Sequence, residues 1–373
     1  MKIAFCNRKN YDNPLGGDAV QMLKTKEALE HDYQVIIDVI TDPQKITSDY
    51  DLVHIFNFSF FDICDSFVEK AKSLSIPIAI SSIYWDYSYS NTTILRGKIG
   101  EIDHLSWTRI RFERLLVKLA SILGFNKPYT TSKLFRRYIK KFITDADVIL
   151  PNSYEERDCL LRFAGLDLNT YKSKFAIVYN AVDGNSAHTP SISKADFLKK
   201  YNIPDHYILQ VGRIENVKNQ GNVIYALRNH PEIPLVFVGS VREKSYLKKI
   251  SQVANKRGNV YFISAVPHDE IACFYKYADL HVLLSLRESP GLVTLEAQKE
   301  NCPVVVASSE FAPCGTYFSS CPYVVNPCKI DEIEEVLLKA YKERKQTPLN
   351  LEDFSWKKAG EQTYNAYLEV LKK

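Results

Sequence analysis

Apolar stretches recur along the whole chain at spacings that leave room for one helix between each pair. In the second half they are YILQV (207–211), LVFVGS (235–240), NVYFIS (259–264), LHVLLS (280–285), CPVVVAS (302–308) and PYVVNP (322–327). The stretches between them have helical length and the 3.6-residue period of an amphipathic helix. The first half repeats the theme with KIAFCN (2–7), YQVIIDVI (33–40), DLVHIFN (51–57), IPIAISS (76–82), VILPNS (148–153) and KFAIVYN (174–180). Near-continuous apolar strands alternating with helices predict parallel sheets covered on both faces. The expected fold is α/β: two Rossmann-like doubly wound domains facing across a cleft.

A polar, small-residue stretch at 181–194 lacks apolar periodicity and marks the boundary. We therefore expect a first domain over 1–185 and a second over 186–354, with a last helix over 355–373 returning to the first. Ser355, within FSW at 354–356, is the expected cap of that helix. A chain of 373 residues is long for one core, which agrees with two domains. Its 46% hydrophobic and 25% charged content suits a folded globular protein. The opening MKIAFCN reads as a strand rather than a secretory signal, and no apolar run is long enough to cross a bilayer. The eight cysteines are scattered without CxxC spacing and read as reduced core residues, which points to the cytoplasm.

In open α/β sheets, ligands bind beyond the carboxyl ends of the strands, where loops and helix N-termini converge. Three such junctions carry chemistry. Gly16-Gly17 follows the first strand and opens a helix near Asp18. Paired glycines let amides approach an anion closely, although an ordinary flexible turn explains the dipeptide equally well. Gly212-Arg213 with Lys218 follows the strand at 207–211, so a guanidinium fork and a point charge could meet one diphosphate. The plain alternative is a pair of solvated loop charges. The third junction runs from Arg287 to Glu296 after the strand at 280–285. There Ser289 is the expected cap, Pro290 the first helical residue, and Gly291 leaves helix amides open to phosphate. At helical rise Glu288 and Glu296 stand about 10 Å apart, too far for an acid and base on one bond. They read as two separate ligand contacts. No GxGxxG or GxxxxGK[ST] follows any strand, which disfavours a nicotinamide oxidoreductase or a P-loop enzyme.

Taken together these residues resemble retaining glycosyltransferase family 4, of the GT-B fold. The likeness rests on Glu288 to Glu296 in ESPGLVTLEA followed by CPVVVAS, on Gly16 and Gly17, on Gly212, Arg213 and Lys218, and on the terminal FSW helix. The resemblance implies transfer of a sugar from a nucleotide-diphosphate donor, a UDP- or GDP-sugar, to a glycan or lipid-linked acceptor, as in bacterial surface polysaccharide synthesis. It implies that Arg213 and Lys218 hold the diphosphate, that Glu288 contacts the transferred sugar, and that Glu296 binds the ribose. It further implies that the amides of Gly291 and Leu292 help hold phosphate and that Val266 lies where the base is gripped. No metal or other cofactor is expected, since fixed cations and helix amides take the charge.

The sequence departs from the family after the strand at 76–82. The usual His-Asp is replaced by Trp85-Asp86. Trp85, Asp86 and His104 are the candidates on the acceptor side, and Asp86 joins Glu288, Arg213 and Lys218 as a catalytic candidate. His54, inside a strand, reads as a core residue. The alternative to an enzyme is a non-catalytic sugar-nucleotide-binding subunit of a glycan assembly complex.

The net charge of +4 is too small to indicate nucleic acid. About a dozen basic residues nevertheless fall between Arg96 and Lys141. The stretches 107–123 and 133–143 are basic and amphipathic. They suit either an anionic membrane surface, with a peripheral enzyme at the inner face of the cell membrane, or plain packing on the sheet.

Overall fold

The computed structural model describes residues 1–12, 16–87, 133–182, 192–264, 266–347 and 352–372, with positions 89, 115, 116, 119 and 350 besides. The first sheet is built from β1 (Lys2–Cys6), β2 (Ile36–Ile40), β3 (Leu52–Phe56), β4 (Ile78–Ser81) and β5 (Val148–Leu150). The second is built from β6 (Ile208–Val211), β7 (Leu235–Val238), β8 (Val260–Ile263), β9 (Leu280–Leu283), β10 (Val304–Ala307) and β11 (Val324–Val325). The main helices are α1 (Gly17–Asp32), α2 (Phe61–Ser73), α3 (Lys133–Asp145), α4 (Tyr154–Ala164), α5 (Lys194–Tyr201), α6 (Gln220–Ala226), α7 (Lys244–Arg257), α8 (His268–Tyr277), α9 (Leu292–Lys299), α10 (Ile330–Glu343) and α11 (Trp356–Leu371).

Every pairing in both sheets is parallel. The chain divides into two compact units, one carrying β1–β5 with α11 and the other β6–β11. Strands β3, β4, β6, β7, β9 and β10 are buried along their whole length, as expected when helices cover both faces of a sheet.

The strand orders decide where ligands can sit. The first sheet runs β2-β1-β3-β4-β5, so its order reverses between β1 and β3. The second runs β11-β10-β9-β6-β7-β8 and reverses between β6 and β9. Connections leave opposite faces of the sheet on either side of such a reversal, which opens a crevice at the carboxyl ends of those two strands.

The stretch 174–180 is not a sixth strand of the first sheet. Phe175 makes a single parallel bridge to Ile149, and the amides of Ala176 and Val178 bond to the carbonyls of Ile149 and Pro151. It runs beside β5 without a ladder of its own, which its apolar composition alone could not reveal. Val182 bridges Ser355, so the chain rejoins the first unit ahead of α11. Ser355 caps α11, its hydroxyl accepting from the Lys358 amide at 3.2 Å. The helix lies against α1, where a Cβ on Gly360 would stand 3.0 Å from the Ala28 methyl, and it sends Tyr367 and Val370 into the core beside Met22 and Leu29.

His54 confirms the core reading. Its ring lies between the Tyr367 hydroxyl at 2.5 Å and the Ser81 hydroxyl at 2.9 Å, fully enclosed. The apolar face of α3 is also spent on packing. Phe135, Ile139, Phe142 and Ile143 are buried, while Lys133, Arg136, Arg137 and Lys140 point outward. What α3 offers a surface is therefore mainly charge, with Leu134 its one large exposed apolar side chain. Of the stretch 107–123 only Leu115, Leu116 and Leu119 are described, and they are exposed. None of the eight cysteines is in a disulfide, and seven of them are buried.

Burial lowers the pKa of His54 from 6.5 to about 3, and that of His281 on β9 likewise to about 3. Both rings are thus neutral in the folded chain where they would be protonated in the unfolded one. Below about pH 6.5 the unfolded state binds the extra protons, so stability falls as pH drops through the window from about 6.5 to about 3. Each histidine contributes about 1.4 kcal/mol per pH unit inside it. Urea midpoints measured at pH 7.0 and pH 5.5 should show this loss, and His281→Phe should make the acid limb shallower.

Candidate functional site

The second unit's reversal point carries the densest chemistry. Gly212 ends β6 with φ of 148°, and Gly239 ends β7 with φ of 150°. A Cβ on Gly239 would stand 2.3 Å from the Gly212 carbonyl oxygen, so no side chain fits at Gly239, where the ends of these two parallel strands lie side by side. Beyond Gly212 the chain runs through Lys218 into α6 and is stitched back onto β9. The Leu286 amide donates to the Val217 carbonyl at 2.8 Å. The Asn219 amide group donates to the carbonyls of Leu284 and Pro327, and Gln210 donates to that of Lys218 at 2.7 Å. These bonds hold the loops after β6 and β9 side by side.

The junction brings Lys218 and Glu288 into a direct ion pair, with side chains only 16% and 12% exposed. The aliphatic stem of Lys218 crosses Gly212, whose missing Cβ would meet it at 3.8 Å. On the other side, a Cβ on Gly291 would stand 3.6 Å from the Glu288 stem and 3.0 Å from Leu283. Glycines thus flank both partners, and the Glu288 amide is fixed by the Phe311 carbonyl at 2.8 Å.

Arg213 belongs to a neighbouring group. Its guanidinium reaches Glu215 at 3.2 Å, and the same nearly buried carboxylate lies 3.5 Å from Arg242. The Arg213 carbonyl accepts from Gln220 at 2.9 Å. Arg213 remains 40% exposed, so this cation is oriented yet open to solvent.

The helix after β9 starts later than its sequence suggests. Gly291, in the left-handed region at φ 90°, is the N-cap, and α9 begins at Leu292. A left-handed residue cannot lie inside a right-handed helix, so Ser289 and Pro290 stay outside it. Glu288 therefore precedes the helix too, and the 1.5 Å rise does not measure its distance from Glu296. The two carboxylates have different partners: Lys218 for Glu288, and the Tyr275 hydroxyl of α8 at 3.0 Å for Glu296. Near the start of α9, the buried hydroxyls of Ser285 and Thr294 have no protein partner among the described residues. Unpaired buried donors beside a helix N-terminus suit an oxygen-rich anion. Val266 follows β8 and is partly exposed.

The first unit has its own polar cluster at the β1/β3 reversal. Gly16 caps α1 without a side chain, and Gly17 is its first residue. Asp18, in the first turn, pairs with Arg8 from the end of β1 and accepts from Asn57 at the end of β3 at 3.2 Å. Arg8 stacks on the Phe60 ring at 4.6 Å. After β4, Ile83 takes a left-handed φ of 45°, Tyr84 and Trp85 are buried, and Asp86 is partly exposed. Asp86 lies beside Cys159, whose thiol is pushed up to about 12 by burial and then by that charge. His104 lies outside the described residues.

Glu156 holds this loop in place. It is fully buried and accepts from the Ser82 hydroxyl, from the Tyr84 amide at 2.8 Å and from the Asn152 amide at 3.1 Å. Its own amide bonds the Ser153 hydroxyl that caps α4. The Ser153-to-Glu156 spacing is a capping-box signature that the reading of the sequence passed over. Glu215 and Arg8 were passed over as well, because a lone charge near a strand end has no distinctive spacing.

Residues 193–355 match the family described as Glycosyl transferases group 1. The chain is 28% identical over 181 residues to an uncharacterized glycosyltransferase of Methanocaldococcus jannaschii, an alignment covering 46% of this chain and 44% of that protein. It is also 28% identical over 183 residues to a D-inositol 3-phosphate glycosyltransferase of Xylanimonas cellulosilytica, covering 45% and 42%. The matched stretch thus spans less than half the length of either curated relative. Among solved structures, HepE of Anabaena in complex with UDP-glucose superposes with a TM-score of 0.63 at 15% identity, covering 100% of this chain and 97% of that one. That likeness extends over both units and shows the GT-B fold.

Removing the Glu156 carboxylate would strand two backbone amides and a hydroxyl in the interior. We expect Glu156→Ala to cost about 3 kcal/mol in urea unfolding, since each unpaired buried group costs about 1–3 kcal/mol.

Proposed function

We propose a retaining sugar transferase that uses a nucleotide-diphosphate donor, a reading supported by the match of residues 193–355 to the group 1 glycosyl transferases and by the GT-B fold. The observation that carries this reading is the Lys218–Glu288 pair, held between Gly212 and Gly291 at the β6/β9 reversal. In this reading Lys218 meets the donor's diphosphate, and Arg213, oriented by Glu215 but open to solvent, adds a second cation. The amides of Gly291 and Leu292 face a phosphate oxygen. Glu288 then turns from its lysine toward hydroxyls of the transferred sugar, Val266 lies beside the base, and Glu296 takes the ribose.

Because Glu288 and Glu296 are held by different elements, neither acts as the acid or base opposite the other. The step that fits is a front-face displacement. The bond from the anomeric carbon to the diphosphate oxygen breaks, and the acceptor oxygen bonds to that carbon on the same face. The acceptor's proton passes to the departing phosphate oxygen. The negative charge growing on the diphosphate is met by Lys218, Arg213 and helix amides, so the reaction calls for no metal.

For the acceptor we propose the first unit's reversal point, with Arg8, Asp18 and Asn57 on one side and the Trp85-Asp86 loop on the other. HepE was solved with UDP-glucose, which makes a UDP-sugar the first donor to test, with a GDP-sugar second. A glycan or lipid-linked acceptor of surface polysaccharide synthesis agrees with the outward cations of α3. These would draw the enzyme to an anionic membrane surface by charge, at about 1 kcal/mol per nearby cation.

Two measurements test this. Thermal shift against UDP, GDP, ADP and dTDP should single out one base, since a bound ligand stabilises by RT ln(1 + [L]/Kd). With the donor identified, Glu288→Gln and Lys218→Ala should each lower turnover about a hundredfold or more, as removal of one charge-stabilising group typically does. Full activity in either variant would refute the assignment.

A further inference from the structure

We propose that Tyr275 is a positioning residue for nucleotide recognition, its hydroxyl aiming the Glu296 carboxylate at the ribose hydroxyls of the donor. The inference rests on the reading of Glu296 as the ribose carboxylate and adds to it a residue outside the loop motifs.

The geometry is specific. Tyr275 lies on α8 and Glu296 on α9, two helices that pack together between β8 and β10 in the chain. The tyrosine is 1% exposed, and its hydroxyl donates to the Glu296 Oε2 at 3.0 Å. Burial, and after it the charge of Glu296, raise its pKa well above the ordinary value, so the group stays a protonated donor. Behind it, the His281 ring meets the tyrosine ring edge-on at 5.4 Å and 76°. His281 is fully buried, with neither ring nitrogen bonded among the described residues. As a neutral ring it packs against Tyr275 without placing a cation that would compete for Glu296.

A glutamate on a helix surface otherwise sweeps several rotamers, and freezing such a side chain on binding costs conformational entropy. A buried phenol fixed by a neighbouring ring and bonded to one carboxylate oxygen meets that cost before the ligand arrives. It also orients the lone pairs that must accept from two vicinal hydroxyls. The predicted consequence is discrimination between ribose and deoxyribose, since a site arranged for a hydroxyl loses that contact when the hydroxyl is absent.

The test is calorimetric titration of the full chain with UDP against 2′-deoxy-UDP, and with GDP against 2′-deoxy-GDP. Wild type should prefer the ribonucleotide by about tenfold or more, the worth of one hydrogen bond to a charged group. Tyr275→Phe, which keeps the ring and removes the donor, should weaken the ribonucleotide several-fold and leave the deoxynucleotide nearly unchanged. Glu296→Asp, which withdraws the carboxylate from the phenol without touching the buried tyrosine, should compress the ratio in the same way. Equal weakening of both nucleotides by Tyr275→Phe, or no change in either, would overturn the positioning role. A ratio unaltered in Glu296→Ala would overturn the ribose assignment itself and the proposal with it.

Discussion

The reversal of strand order between β6 and β9 is the constraint on which the candidate site depends. It sets the carboxyl ends of two strands about seventy residues apart in sequence beside each other, paired at Ile208–Leu280 and Leu209–His281. A lysine following one strand then meets a glutamate following the other. Without that adjacency Lys218 would be a solvated loop cation and Glu288 a surface carboxylate. With it, both are largely withdrawn from water, and their attraction is screened less than that of a surface pair.

Backbone geometry maintains the arrangement. Gly212, Gly239 and Gly291 occupy left-handed or otherwise glycine-favouring conformations within a few ångströms of neighbouring backbone or of the Lys218 and Glu288 stems. Side-chain amides do the remaining work: Gln210 and Gln220 hold the Lys218 and Arg213 carbonyls of the loop after β6, and Asn219 ties it to those of Leu284 and Pro327. These donated bonds stiffen the loop, while the buried hydroxyls of Ser285 and Thr294 stay without a partner among the described residues.

The first unit follows the same logic with different residues. Arg8, Asp18 and Asn57 meet at the β1/β3 reversal, and Glu156 fastens the loop that carries Trp85 and Asp86. Two sheets of different strand order thus each present a polar cluster at the one place where parallel α/β architecture leaves room for a ligand.

Periodicity alone disclosed the fold class, all eleven strands and the capped terminal helix, because strand burial and helix amphipathicity are local properties written in successive residues. It also placed Gly212, Lys218, Gly291 and the two glutamates at strand ends. It misjudged 174–180, whose apolar run follows β5 without forming a ladder, and the start of α9, where the backbone of Gly291 overrides the Ser-Pro signal. What only the tertiary structure decided were the partnerships: Lys218 with Glu288, Arg213 with Glu215, Glu296 with Tyr275, and Glu156 with the loop after β4. Each joins groups on different elements, and the pairing depends on strand order and helix packing, which no spacing along the chain encodes.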